Sequence, residues 1–216
     1  MPARPEHGHS MKLVILGRDG TINHYRDDHV KSPDELQPLP GSLEAVARLN
    51  HAGWHTVLAT NQPGIGRGLI DMASLNAVHM RLNQLLAEKG GRLDAAFFCP
   101  HTPEEGCNCR KPLPGLITQV AERFGVDLSQ VHMVGASLKD AQTALAAGCF
   151  PHLVLGDRLG SMDEEQLATL LAQVPGTRVH ASLAAFAEDL LQQERRAKAA
   201  ARGEPMEADT GAGDLG

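Results

Sequence analysis

The chain has 216 residues, 42% of them apolar, which suits one α/β domain with a sizeable core and argues against a disordered polypeptide. Its 20 Lys and Arg against 26 Asp and Glu give a net charge of −6, which argues against general affinity for nucleic acid and leaves local basic clusters for small anions. No apolar run reaches the roughly 18 residues of a membrane span. Residues 1–10 lack the apolar centre of a secretory signal, so a cytoplasmic location is expected.

Residues 1–10 are polar and read as a flexible tail, with the folded domain starting at Met11. Residues 13–16 form an apolar run that predicts a buried strand, stopped by Gly17 and followed by a polar loop with Asp19, Gly20, Thr21 and Asn23. A long loop then runs to Gly41. Ser42 is the expected cap of a helix carrying Leu43, Val46, Ala47 and Leu49, ended by Gly53. Residues 55–59 predict a second strand, and Asp71 caps a long amphipathic helix that ends at Gly90 and Gly91.

Further strands are expected over 95–98, 131–134 and 152–155, with helices over 113–124 and 137–147. Helices over 164–171 and 183–191 follow, with a short strand at 178–180 between them. The domain is expected to end at 191, with 192–216 a flexible tail. Alternating strands and helices predict an α/β fold: a Rossmann-like parallel sheet with helices on both faces. The loop from Gly17 to Gly41 is too short for a large cap domain.

Three of the four cysteines fall within eleven positions, as Cys99, Cys107 and Cys109, with His101 among them. Four soft or borderline ligands converging in one irregular loop predict a closed, structural zinc site. This loop runs into Arg110 and Lys111, which a metal-stiffened segment can hold on a phosphate; a solvated surface turn is the alternative. Thr60, Asn61 and Gln62 close the second strand with groups that hydrogen-bond phosphate oxygens. Arg67 stands among Gly64, Gly66 and Gly68, whose backbone amides form either an anion nest or a plain turn. After the fourth strand comes Gly135-Ala136-Ser137-Leu138-Lys139-Asp140, with Asp140 either a metal ligand or a favourable charge at a helix start.

Taken in order, these segments resemble the haloacid dehalogenase superfamily of phosphatases. The Cys/His loop joined to Cys109-Arg110-Lys111-Pro112 is similar to the D-glycero-D-manno-heptose 1,7-bisphosphate phosphatases, close to the histidinol-phosphate phosphatases. The resemblance spans residues 11 to about 191. It implies a magnesium-dependent phosphatase, acting on a sugar phosphate on the route to lipopolysaccharide core, with structural zinc on Cys99, His101, Cys107 and Cys109. It assigns Asp19 as acid/base, with its backbone carbonyl toward magnesium. Thr60 becomes the phosphate-binding hydroxyl, Lys111 the lysine that steadies phosphate and nucleophile, and Asn61, Gln62 and Arg110 substrate contacts.

The same alignment of motifs puts Gly17 on the nucleophile and Ala136 on a magnesium-binding aspartate. Phosphoryl transfer in this scheme needs both a nucleophile and a metal. Two readings follow: an enzyme in which water or Asp140 partly replaces what is missing, or a non-catalytic relative that binds a sugar phosphate or a partner protein. A monomer is expected.

Overall fold

The computed structural model describes residues 11–203. In chain order the elements are β1 (Leu13–Leu16), α1 (Ser42–His51), β2 (His55–Asn61), α2 (Pro63–Gly66), α3 (Met72–Glu88), β3 (Ala95–Cys99), α4 (Gly115–Phe124), β4 (His132–Gly135), α5 (Leu138–Ala147), β5 (Phe150–Val154), α6 (Gly156–Leu159), α7 (Glu164–Ala172), β6 (Arg178–His180) and α8 (Leu183–Ala201). All pairings in the sheet are parallel and its order is β3-β2-β1-β4-β5-β6, so the expected architecture is the one found.

β1 is central, with Ile15 opposite Val57 of β2 on one side and Met133 of β4 on the other. Its four side chains are fully buried. Val14 and Leu16 enter the core beneath α1, α3 and α8, and Leu13 and Ile15 enter the core beneath α4. A strand covered on both faces reads as a continuous apolar run because alternate residues both need an apolar partner. The strand order reverses between β1 and β4, and that is where an open α/β sheet leaves a crevice beyond its carboxyl ends.

Three local expectations are corrected. Ser42 is the first residue of α1 rather than its cap; Gly41, at φ +74°, makes the entry, and the Ser42 hydroxyl donates instead to the Ile22 carbonyl at 2.6 Å. β2 continues to Asn61, past the expected end at Ala59. The segment after Gln192 does not fray but continues α8 to Ala201. Glu194 explains this: its carboxylate accepts from Lys12 Nζ at 2.7 Å and from Trp54 Nε1 at 3.0 Å, and Lys198 lies 2.8 Å away, one helical turn on. Those contacts tie the second half of α8 to the starts of β1 and β2. The tails expected at 1–10 and 204–216 lie outside the described residues. Among the described residues no helix is long and apolar enough to cross a membrane.

Candidate active site and metal centre

Gly17 ends β1 and Ala136 follows β4, so both stand at the point where the strand order reverses. The Gly17 amide donates to the Val134 carbonyl at 2.8 Å and closes the two strand ends together. A side chain begun on Gly17 would lie 3.6 Å from the Gly135 Cα. The two positions that the family resemblance assigns to carboxylates are therefore neighbours, and both line a cavity of about 600 Å³.

Asp19 lies beside them with its carboxylate fully engaged. Oδ1 accepts from Arg18 Nη2 at 3.0 Å and Asn23 Nδ2 at 3.0 Å, and Oδ2 from Gln62 Nε2 at 3.0 Å and Arg18 Nη2 at 3.1 Å. Burial alone would push its pKa up, but the Arg18 guanidinium and the amide donors outweigh burial and hold it below the usual carboxylate value. Asp19 is thus held as an ionised acceptor while it lines the cavity.

Arg18 is 1% exposed. Its other nitrogen, Nη1, lies 3.4 Å from His79 Nε2 on α3. A guanidinium only donates, so His79 accepts there and carries its proton on Nδ1. Burial, and then Arg18, lower the His79 pKa to about 4, which keeps the ring neutral.

Lys111 is also buried, and it lines the cavity. Its Nζ donates to Asp140 Oδ1 at 2.5 Å and to the Ala59 carbonyl at 2.9 Å, leaving one N–H. The other Asp140 oxygen accepts from Ser137 Oγ at 2.7 Å and the Ala136 amide at 3.1 Å. Burial opposes ionisation of Asp140, yet Lys111 and these donors hold its pKa below the usual value. Asp140 is at once the charge in the first turn of α5 and the counter-ion of Lys111.

Asn61, expected to touch substrate, lines the cavity and also brackets Lys111: Oδ1 accepts from its amide at 3.0 Å and Nδ2 donates to its carbonyl at 3.2 Å. Thr60 Oγ1 accepts from Gln62 Nε2 at 3.0 Å and makes a long, 3.5 Å contact as donor to the Asn61 carbonyl, at the edge of the cavity that Thr60 lines. Gln62 is buried beneath the floor.

The remaining expectations divide. Arg110 lines the cavity, with Nη1 donating to the His101 carbonyl at 3.3 Å. Arg67 does not: it is exposed at the end of α2, within electrostatic reach of His29, which does line it. The glycine nest is a turn, because the Gly66 amide donates to the Pro100 carbonyl and that of Gly68 to Ile65. Sequence reading passed over Arg18, Asn23 and His79. It also passed over the wall made where the loop after β1 meets α6. There Asp157 accepts from the Tyr25 amide at 3.0 Å and lies 3.0 Å from His24 Nδ1, and the Arg158 guanidinium stacks 4.1 Å from the Tyr25 ring. The only signal for Arg18 was a cation lodged between a buried strand and an acidic loop.

At the mouth of β3 the four expected ligands do converge. Their donor atoms lie within 4.8 Å of one another, with Cys99 Sγ 3.5 Å from His101 Nδ1, 3.6 Å from Cys107 Sγ and 3.2 Å from Cys109 Sγ. Three thiols and one imidazole around a common centre fit a tetrahedral zinc ion with no open position. Magnesium does not fit the cavity floor. It takes hard oxygen ligands at about 2.0–2.1 Å in an octahedron. Gly17 and Ala136 offer no side-chain oxygen, and the oxygens of Asp19 and Asp140 are turned to Arg18 and Lys111. The Thr21 hydroxyl beside Gly17 is buried and has no hydrogen-bond partner among the described residues.

Comparison with known proteins agrees with this architecture. A family model for haloacid dehalogenase-like hydrolases matches residues 6–148. The chain is 52% identical over 184 residues to the D-glycero-beta-D-manno-heptose-1,7-bisphosphate 7-phosphatase of Bordetella bronchiseptica, covering 85% of this chain and 99% of the relative. The corresponding enzyme of Pseudomonas aeruginosa is 47% identical, with the same coverage. Among solved structures, the D,D-heptose 1,7-bisphosphate phosphatase of B. bronchiseptica, crystallised with magnesium and phosphate, superposes with a TM-score of 0.79 at 53% identity, covering 85% of this chain and 99% of that one. That of Burkholderia thailandensis gives 0.64 at 47% identity, covering 83% and 98%. The chain belongs to the haloacid dehalogenase-like hydrolase family, on its heptose-bisphosphate phosphatase branch.

Proposed function

We propose that the chain binds a phosphate ester of the kind its relatives act on, a heptose 1,7-bisphosphate, in the cavity at the β1/β4 switch point, and that it does not hydrolyse it by the family's reaction. The observation that carries this is the pair Gly17 and Ala136, both on the cavity floor and both without a side-chain oxygen. The reading in which Asp140 substitutes for a lost ligand is disfavoured, since both Asp140 oxygens are bound within the protein. What supports ligand binding is the retained set of donors: the free N–H of Lys111, the Thr60 hydroxyl, Arg110 and the start of α5. When bound at Cys99, His101, Cys107 and Cys109, zinc supplies a cross-link that orders the loop leading to Arg110 and Lys111.

The test is a pair of measurements on the same preparation. Calorimetry with the heptose bisphosphate should give one site per chain, and phosphate release with magnesium present should stay at background. Release at a rate typical of enzymes, roughly 1 per second or faster, would overturn the inactive reading; an absence of heat would overturn the ligand assignment.

A further inference from the structure

Two internal ion pairs engage the carboxylates that stand beside Gly17 and Ala136. Arg18 lies against Asp19 with its side chain fully buried, at 3.0 Å, and Lys111 lies against Asp140 at 2.5 Å with both side chains nearly buried. A divalent cation in such a pocket would neutralise carboxylate and phosphate charge. Here each surviving carboxylate is already neutralised by a cation of the chain itself. Neither pair can release its carboxylate to a metal without leaving a guanidinium or an ammonium buried and unpaired, which is a steep cost.

The remaining charges on the cavity wall are of one sign. Arg110, Lys139 and Arg158 line it and have no carboxylate within ion-pair reach among the described residues. Arg26 is tied outward to Asp28 at 2.9 Å. His29 is held toward its neutral form, first by burial and then by Arg67. Ser137, Leu138 and Lys139 begin the ten-residue helix α5 on the same wall, so unpaired helix amides add to the positive potential. Beside Gly17 the Thr21 hydroxyl, 1% exposed, has no partner.

From this inventory we infer that the cavity holds a phosphate dianion without any divalent cation, the carboxylates beside it being already neutralised by the two internal ion pairs. The inference rests on the proposed reading that this cavity is the ligand site. It goes beyond that reading in stating how the charge is balanced and that magnesium has no part in binding. The ligand chemistry is a phosphate monoester dianion, recognised by Lys111, Arg110 and Lys139 as direct donors.

Inorganic phosphate is the probe, so that the outcome does not depend on which sugar carries the phosphate. Calorimetry on the zinc-loaded full chain should give the same affinity with and without magnesium. Manganese, followed by its electron paramagnetic resonance signal, should remain free in the parent chain. Lys139→Met and Arg110→Met, both at accessible positions, should each weaken phosphate by about tenfold, the scale of one charge-assisted hydrogen bond. Ala136→Asp should weaken metal-free binding and create a manganese-binding signal. Phosphate binding that appears only with magnesium, manganese bound by the parent chain, or no phosphate binding under either condition would overturn the inference. Phosphate held without metal while the heptose bisphosphate fails to bind would leave it standing and remove the assigned ligand instead.

Discussion

The Thr21 hydroxyl oxygen lies 2.9 Å from the point where a side chain on Gly17 would begin. It is buried and has no hydrogen-bond partner among the described residues. A buried hydroxyl without a partner costs on the order of 1–3 kcal/mol. The backbone at Gly17 is not in the left-handed region, so an L residue fits it. The one contact under 3.0 Å is with the Thr21 oxygen, so a side chain at Gly17 requires Thr21 to shift, with no left-handed backbone strain opposing it.

That geometry sharpens the repair experiment. Gly17→Asp restores a nucleophile and a partner for Thr21 but leaves no second metal carboxylate; Ala136→Asp does the reverse. Groups that serve one chemical step act non-additively. Each single change is expected to leave magnesium-dependent phosphate release near background. The double change should exceed either single by about a hundredfold or more, the scale on which one positioned catalytic group acts. The check is a four-protein cycle assayed for phosphate release. A parent chain as fast as the double variant would remove the inactive reading, and a folded, zinc-loaded but inert double variant would show that the Arg18–Asp19 clamp also has to open.

Zinc content is the second prediction. Elemental analysis of chain purified without chelator should give one zinc per chain. Cys107→Ser should lose most of it and lower stability by a few kcal/mol, well short of the roughly 10 kcal/mol of small sites that depend wholly on metal, because this domain has its own cores. Protein free of zinc yet as stable as the loaded form would count against a structural site.

Breaking the Lys111–Asp140 pair on one side should be costly. Asp140→Asn leaves a buried ammonium without its counter-charge, and about 3–5 kcal/mol of stability is expected to go. Lys111→Met alone should cost a similar amount, and the two together less than their sum, because the second change removes the charge that the first left stranded. Urea denaturation of the cycle gives the coupling directly; simple additivity would mean the pair is screened by water.

A fourth prediction concerns three histidines away from the cavity. His132 Nδ1 lies 2.9 Å from His152 Nε2, and His152 Nδ1 lies 3.0 Å from His180 Nε2, across β4, β5 and β6 beneath Phe186 of α8. Burial, with Arg178 nearby, lowers His132 to about 4; burial, then the flanking histidines and Arg178, lower His152 to about 3. His180 is lowered mainly by burial, with Asp189 acting the other way. The unfolded chain therefore takes up these protons first. The stability that His132 and His152 provide is complete above about pH 6.5 and falls as pH drops from there through 4 to 3, by roughly 1.4 kcal/mol per pH unit for each of the two in its window. Denaturation midpoints between pH 7 and 4 should decline, and His152→Leu should flatten the slope. A flat parent profile over that range would show that the three rings accept protons in place.

Much of the architecture was legible in residues 13–16, in the order of strands and helices, and in the spacing of Cys99, His101, Cys107 and Cys109. Each of these depends on neighbours within a few positions: an apolar run, a cap such as Asp71 for α3, a cluster of ligands in one loop. The absence of side-chain oxygens at Gly17 and Ala136 is likewise a property of the residues themselves. What only the tertiary structure decided is where each polar side chain spends its charge. Lys111 meets Asp140 across 29 residues and Asn61 across 50, because β2 and β4 flank β1 in the sheet. Arg18 turns inward to Asp19 and His79, whereas Arg67 in its glycine-rich turn faces solvent. Glu194 likewise extends α8 only because Lys12 and Trp54 stand opposite it. Periodicity and capping are local and so can be read along the chain, whereas the partner of a buried charge is set by which strands lie side by side.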